Sequence, residues 1–216
     1  MLHILDDRLW FPPVEDAMDD GLLAIGGHLT AERILYAYRN GIFPWYEGDV
    51  PLWWSPDPRF VLFPAELKVS KSMQVLLKKE AFGFTINKKF TEVIENCSQK
   101  ERPGQNGTWI TPEVKTAYAA LHRDGFAISA EAWREDQLVG GLYGVQLGKV
   151  FFGESMFSAV SNASKYAFIK LVGHLQNQGI ALIDCQVYTE HLESLGAHMI
   201  ERQMFKGLLK LYEADR

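Results

Sequence analysis

Cysteine is nearly absent. The chain has two, Cys97 and Cys185, without paired spacing, which excludes a disulfide framework and a cysteine-based zinc site. No run approaches the ~18 consecutive apolar residues of a membrane-spanning helix, so no membrane partner is expected. The N-terminus, MLHILDDRLWFPP, is acidic where a secretory signal would be basic and has no small-residue cleavage site, so the expected location is cytoplasmic. Positive charge is in deficit. A net charge of −5 argues against bulk affinity for nucleic acid. His122, His174, His191 and His198 accompany no nucleophile signature and read as surface or structural residues. Ser55, before Pro56, lacks the glycine context of a hydrolase serine.

What is present is a globular composition. With 216 residues, 47% apolar and 23% charged, the chain can hold one large domain or a small and a medium one. Residues 41–59, GIFPWYEGDVPLWWSPDPR, hold three of the six tryptophans and four of the nine prolines. Proline cannot continue a helix and is excluded from central strands, so irregular backbone of fixed shape is expected. Such a segment either packs as core or walls a pocket for an apolar ligand. Between Glu66 and Lys89, six lysines against two glutamates make a local charge of +4. These lysines either solvate helix faces or contact phosphates.

Local signals divide the rest. Thr30 caps a helix over 31–40 that Gly41 ends, and Ser70 starts a helix to about residue 80. FVLF at 60–63 opens a second region, placing a domain boundary near residue 62, between 1–62 and 63–216. Residues 82–87 read as a strand, FTEVIENCS as a helix, and 99–107 as a polar loop. Thr111-Pro112-Glu113 is a helix start with cap, proline and acid in order. Three strand-like runs (FAISAEAWR, LVGGLYGVQ, KVFFGES) are joined by tight turns and predict an antiparallel meander. A helix over 163–178, the strand ALIDCQV, a short helix, the strand HMIER and a terminal helix follow.

That order, βββ-α-β-α-β, is the order of a Gcn5-related acetyltransferase-like domain. It predicts an α+β molecule with a mixed sheet, preceded by the small N-terminal domain that the boundary near residue 62 sets off. The fold splays two central strands and places acyl transfer in the gap. Acetyltransferases also carry a glycine-rich loop there for the coenzyme A pyrophosphate. Here the loop reads GESMFSAVSNASK, without those glycines, so coenzyme A is not the expected acyl donor and no cofactor or metal is expected.

Glu154 ends an apolar strand, and a carboxylate there is costly to bury without a partner. It either accepts hydrogen bonds from the next helix's N-terminus or touches substrate. Asp184 and Gln186 are two apart on the next strand, so regular alternation points both to one face, ~7 Å apart. They form either a satisfied core pair or a polar pair aimed at an acyl centre. Cys185 faces the other way and reads as packed.

The blocks GLLAIGGHL, GIFPW, WWSPDPR, GTWIT, WREDQLVGGLYGV, FGESMFS, NASK, LIDCQV and SLGA occur in this order, and together they closely resemble the bacterial leucyl/phenylalanyl-tRNA–protein transferase family. The resemblance implies transfer of leucine or phenylalanine, and possibly methionine, from aminoacyl-tRNA to proteins with an N-terminal Arg or Lys. The product would be marked for degradation under the N-end rule, and the enzyme would act as a monomer. It implies a donor pocket walled by Tyr38, Trp45, Trp109, Tyr118 and Phe151, with Ser155 also at the substrate. Leu142, Leu171 and Leu175 line or approach that pocket and differ from the family's commoner residues, as does His28 in the N-terminal block. The reactive groups implied are Glu154, Asp184 and Gln186, with Asp184 polarising or orienting Gln186. Lys71, Lys78 and Lys79 would contact tRNA phosphates. Two rivals stand beside this reading: a coenzyme A-dependent N-acetyltransferase, and a non-catalytic module binding N-terminal residues or tRNA ends.

Overall fold

A computed structural model describes residues 2–100 and 108–213. The polar loop expected over 99–107 therefore lies, from residue 101 on, outside the described residues. The smaller of two sheets contains β1 (His3–Leu5), β2 (Leu22–Gly26), β3 (Phe43–Pro44) and β4 (Leu52–Trp54), in the order β1-β2-β4-β3. Helix α1 (Ala31–Arg39) connects β2 to β3. The Thr30 side chain accepts from the Arg33 backbone N–H, and Gly41, at φ 76°, turns the chain after the helix.

The Trp/Pro segment is thus not wholly irregular: two short strands run through it. Pro44 lies on β3, the edge strand, where its missing N–H leaves no ladder bond unmade. Interior strand β4 carries Leu52-Trp53-Trp54 and no proline. Trp53 is fully buried, and its Nε1 donates to the Gly26 carbonyl at 2.9 Å.

The larger sheet has the order β11-β5-β10-β9-β8-β7-β6. Its strands are β5 (Arg59–Leu62), β6 (Gly83–Ile86), β7 (Ala127–Arg134), β8 (Gln137–Leu147), β9 (Val150–Ser158), β10 (Leu182–Gln186) and β11 (His198–Ile200). The expected meander is β7-β8-β9, and the remaining elements follow in the expected order. The chain crosses from the smaller sheet to the larger between Trp54 and Arg59, upstream of the expected boundary at 62.

The helices are α2 (Lys71–Lys78), α3 (Phe90–Ser98), α4 (Pro112–Arg123), α5 (Ala163–Asn177), α6 (Glu190–Glu193) and α7 (Arg202–Glu213). Alternation along the strands assigns them to two faces. Val61, Phe152 and Leu182 join one apolar cluster with α1, α3, α4, α7 and the smaller sheet. Phe60, Phe151 and Ile183 join the other, with α5 and Met73 of α2. The smaller sheet therefore shares a core with one face of the larger. Helix α7 straps the two: Arg202 Nη1 donates to the Ser55 carbonyl at 2.7 Å, and its backbone N–H to Asp57 at 2.9 Å. Among the described residues, no helix is long and apolar enough to cross a membrane.

Candidate functional site

Strands β9 and β10 are the parallel pair at the centre of the larger sheet, in register from Leu182 opposite Val150 to Asp184 opposite Phe152. Beyond that point they part. Strand β9 continues along β8 with an irregularity that leaves Glu154 as an extra residue between Gly153 and Ser155. Strand β10 continues along β5 with a bulge that leaves Cys185 extra between Asp184 and Gln186. The glycine facing the first irregularity is required: a Cβ on Gly144 would stand 2.2 Å from the Phe152 carbonyl oxygen.

A cavity of about 550 Å³ opens where the strands part. Of the residues expected at the site, Glu154, Asp184, Gln186, Trp45, Trp109, Leu142 and Ser155 line it. Met156, Phe168 and Ile183 add apolar wall that the sequence does not mark, as does Cys185, buried but on the cavity wall beside Asp184 and Gln186 rather than facing away from them, and Lys100, Ser164, Thr189 and His191 add polar wall. His191 had read as surface or structural; at the cavity wall, burial lowers its pKa.

Five expected wall residues are not at the surface of the cavity. Tyr38 and Tyr118 are wholly buried and reach the site only through their hydroxyls. Phe151 points to the α5 side of the sheet, because its neighbour Phe152 takes the other face and stacks on Tyr38 at 4.5 Å. On α5, Ser164 and Phe168 reach the cavity, whereas Leu171 and Leu175 lie about 5 and 10 Å farther along the helix, buried in the core. Lys71 and Lys78 on α2, and Lys79 just after it, are exposed and do not line the cavity.

The two carboxylates at the parting differ in their partners. Glu154 has phenols and an amide. Tyr38 Oη donates to its Oε1, Tyr118 Oη to its Oε2 at 2.9 Å, and Gln186 Nε2 to Oε1 at 3.4 Å. The two phenol oxygens are also 2.6 Å apart. Three oxygen–oxygen contacts thus close a ring, and an ionised Glu154 would leave only two protons to fill them. A protonated Glu154 fills all three when it donates to one phenol, which then donates to the other. Burial accordingly pushes the Glu154 pKa up to about 7, although the phenols' hydrogen bonds pull the other way and Asp184 adds a further upward push. Burial, and then the charge of Glu154, pushes both phenols well above their ordinary range.

Asp184 has a cation. Arg59 Nε donates to its Oδ1 at 2.8 Å and Nη2 to its Oδ2 at 2.6 Å, with both side chains buried. The guanidinium lies over the Phe43 and Phe205 rings at 4.6 and 4.7 Å. Asp184 Oδ1 also accepts the Gln186 backbone N–H at 2.9 Å. The expectation that Asp184 and Gln186 point to one face fails here, because the bulge at Cys185 breaks the alternation. Asp184 turns to Arg59, while Gln186, at φ 64°, carries its amide across the gap to Glu154. The Cys185 thiol is pushed up by burial and stays protonated. Arg59 was not anticipated. Its one signal was a lone arginine opening the apolar run FVLF, matched by a lone aspartate inside LIDCQV.

An apolar cavity ending in a proton-carrying carboxyl and an oriented amide suits acyl transfer to an amine. A sequence profile of the leucyl/phenylalanyl-tRNA protein transferase family matches residues 61–210, and one of that family's N-terminal domain matches residues 27–57. The leucyl/phenylalanyl-tRNA–protein transferase of Flavobacterium johnsoniae is 56% identical over 97% of this chain and 99% of its own length. Those of Christiangramia forsetii (96% and 100% covered) and Syntrophobacter fumaroxidans (95% and 88%) are each 55% identical. With both of its parts matched and the curated relatives spanned almost end to end, this chain belongs to the leucyl/phenylalanyl-tRNA–protein transferase family.

Proposed function

We propose that this aminoacyltransferase moves leucine or phenylalanine, with methionine as a further candidate, from its charged tRNA to the α-amine of proteins beginning with Arg or Lys. The product would carry a destabilising N-terminus under the N-end rule. The observation that carries the reading is the cavity at the parting of β9 and β10, apolar along Trp45, Trp109, Leu142, Met156 and Phe168, with Glu154 and Gln186 beside it. An apolar side chain fits the first part; an amine and an ester fit the second.

The reaction forms a bond from the acceptor nitrogen to the donor's carbonyl carbon and breaks the ester bond to the ribose oxygen. The amine loses a proton and the departing oxygen gains one. An activated ester reacts downhill, so most of the acceleration comes from holding the two partners together. In this reading Trp45 and Trp109 hold the end of the donor, and the Gln186 amide orients the attacking amine. Glu154, with a pKa of about 7, is populated in both forms near neutrality and can pass the proton between nitrogen and oxygen. Lys71, Lys78 and Lys79, exposed on and just after α2, contact phosphates of the tRNA body in a salt-dependent way.

Purified protein given labelled leucyl-tRNA should place label on a peptide beginning with Arg and leave a peptide beginning with Gly unlabelled. Absence of label on the Arg peptide, while the tRNA remains charged, overturns the reading.

A further inference from the structure

Every atom of the Asp184 carboxylate is engaged, and none of it by the Gln186 side chain. Oδ1 takes Arg59 Nε and the Gln186 backbone N–H, and Oδ2 takes Arg59 Nη2. The Gln186 amide nitrogen turns instead to Glu154. A relay of charge from Asp184 into the Gln186 side chain therefore has no hydrogen bond to run along among the described residues. What Asp184 does hold is the Gln186 backbone, at φ 64°, a left-handed conformation that a non-glycine residue keeps only where its surroundings impose it.

Arg59 is what holds Asp184. It sits at the start of β5, and its fork matches the carboxylate on two N–H groups, a geometry an ammonium cannot reproduce. Its remaining terminal nitrogen, Nη1, donates to the Gly41 carbonyl at 3.2 Å, on the turn that follows α1. One flanking ring, Phe43, belongs to the smaller sheet and the other, Phe205, to α7. The N-terminal unit, the C-terminal helix and the strand carrying Gln186 therefore meet at one buried guanidinium.

We propose that Arg59 is a positioning residue for aminoacyl transfer: by clamping Asp184 it holds the Gln186 backbone left-handed and aims the Gln186 amide across the gap at Glu154. The proposal rests on the transfer reaction above for its kinetic consequence, but its geometric consequence can be read without any activity.

Arg59→Lys keeps the charge and loses the fork. Its kcat should fall about tenfold to a hundredfold, as a misplaced reacting group does, with the KM for leucyl-tRNA within about twofold of wild type. A crystal structure of the variant should show Gln186 out of the left-handed region. The double variant Arg59→Met/Asp184→Asn removes both charges and retains an oxygen for the Gln186 N–H. With nothing left to clamp residue 184, its kcat should stay about as low as that of Arg59→Met alone.

Wild-type kcat in Arg59→Lys overturns the proposal, as does a variant crystal with Gln186 still left-handed and bonded to Glu154. A folded double variant with wild-type kcat also overturns it, since the clamp would then be dispensable. Should either single variant fail to fold, the double variant, which leaves no buried charge unpaired, decides by its kcat relative to wild type. A wild-type protein that transfers nothing defeats the functional reading instead, and the crystal structure still decides the role of Arg59.

Discussion

Glu154 and Asp184 stand on neighbouring strands at the point where those strands part, each beside a bulge, and they are held in opposite ways. Asp184 is wholly buried and pairs with a guanidinium through two charge-assisted bonds. Glu154 is half-buried and has two phenols and an amide around it, none of them a cation. The same chemical group therefore serves two ends. One carboxylate is pinned, and its loss strips a buried charge of its partner. The other is left able to gain or lose a proton near neutrality, which is what a proton-transferring group requires. Partner identity, not burial alone, separates a carboxylate held by a cation from one able to exchange a proton at this gap.

Three measurements test that contrast. The largest effect belongs to Asp184→Ala, which strands Arg59 without a counter-charge in the core. It should cost about 3–5 kcal/mol of stability in urea unfolding, the usual consequence of breaking one side of a buried pair. A loss below about 1 kcal/mol would mean that Arg59 finds water or another partner, and the pinned half of the contrast would fail.

Glu154→Gln should behave differently. A glutamine amide can donate to one phenol and accept from the other, reproducing the three-proton ring of the neutral acid. Stability should stay within about 1 kcal/mol of wild type, while transfer slows on the order of a hundredfold for want of a proton carrier. Unfolding comparable to that of Asp184→Ala would erase the distinction between the two sites.

The third test reads a slope with pH. The Glu154 pKa is raised from 4.5 to about 7, so between these values the folded protein holds a proton that the unfolded chain has released. Stability from this group is fully present below about pH 4.5 and is lost as pH rises through about 7. The stability of wild type relative to Glu154→Gln should therefore decline across that window, as read by unfolding midpoints at several pH values. A flat difference would show that Glu154 feels no such burial.

Much of the fold was legible because its signals are local. Thr30 and Thr111 each cap their helix as the sequence suggests, accepting the N–H three residues on. The meander and the helix after it follow from turn residues and apolar spacing, and they appear within a residue or two of the expected bounds, except that β9 runs on to Ser158 and so carries Glu154 inside the strand rather than at its end. The short strands around Trp53 were not legible, since two- and three-residue pairings next to prolines leave no alternation to read. Glu154, Asp184 and Gln186 could be named because polar residues in apolar strands stand out. Their geometry could not, because each bulge reverses the alternation on which any such inference depends. Leu171 and Leu175 illustrate the same limit on a helix: their spacing marks the buried face of α5, but only the position of the cavity tells that Ser164 and Phe168 reach it and they do not.

By itself the sequence determined the order and kind of the elements, the polar groups that burial would make costly, and the family to which they belong. Caps, periods and turns act within a few residues, and motif blocks are read directly. Only the tertiary structure decided which carboxylate is held by a cation and which is left among neutral partners. That choice depends on groups within hydrogen-bonding distance, and these come from far along the chain. Arg59 is 125 residues from Asp184, and Tyr38 is 116 from Glu154. No local pattern specifies such pairings; the packing of the N-terminal unit and α7 against one face of the larger sheet does.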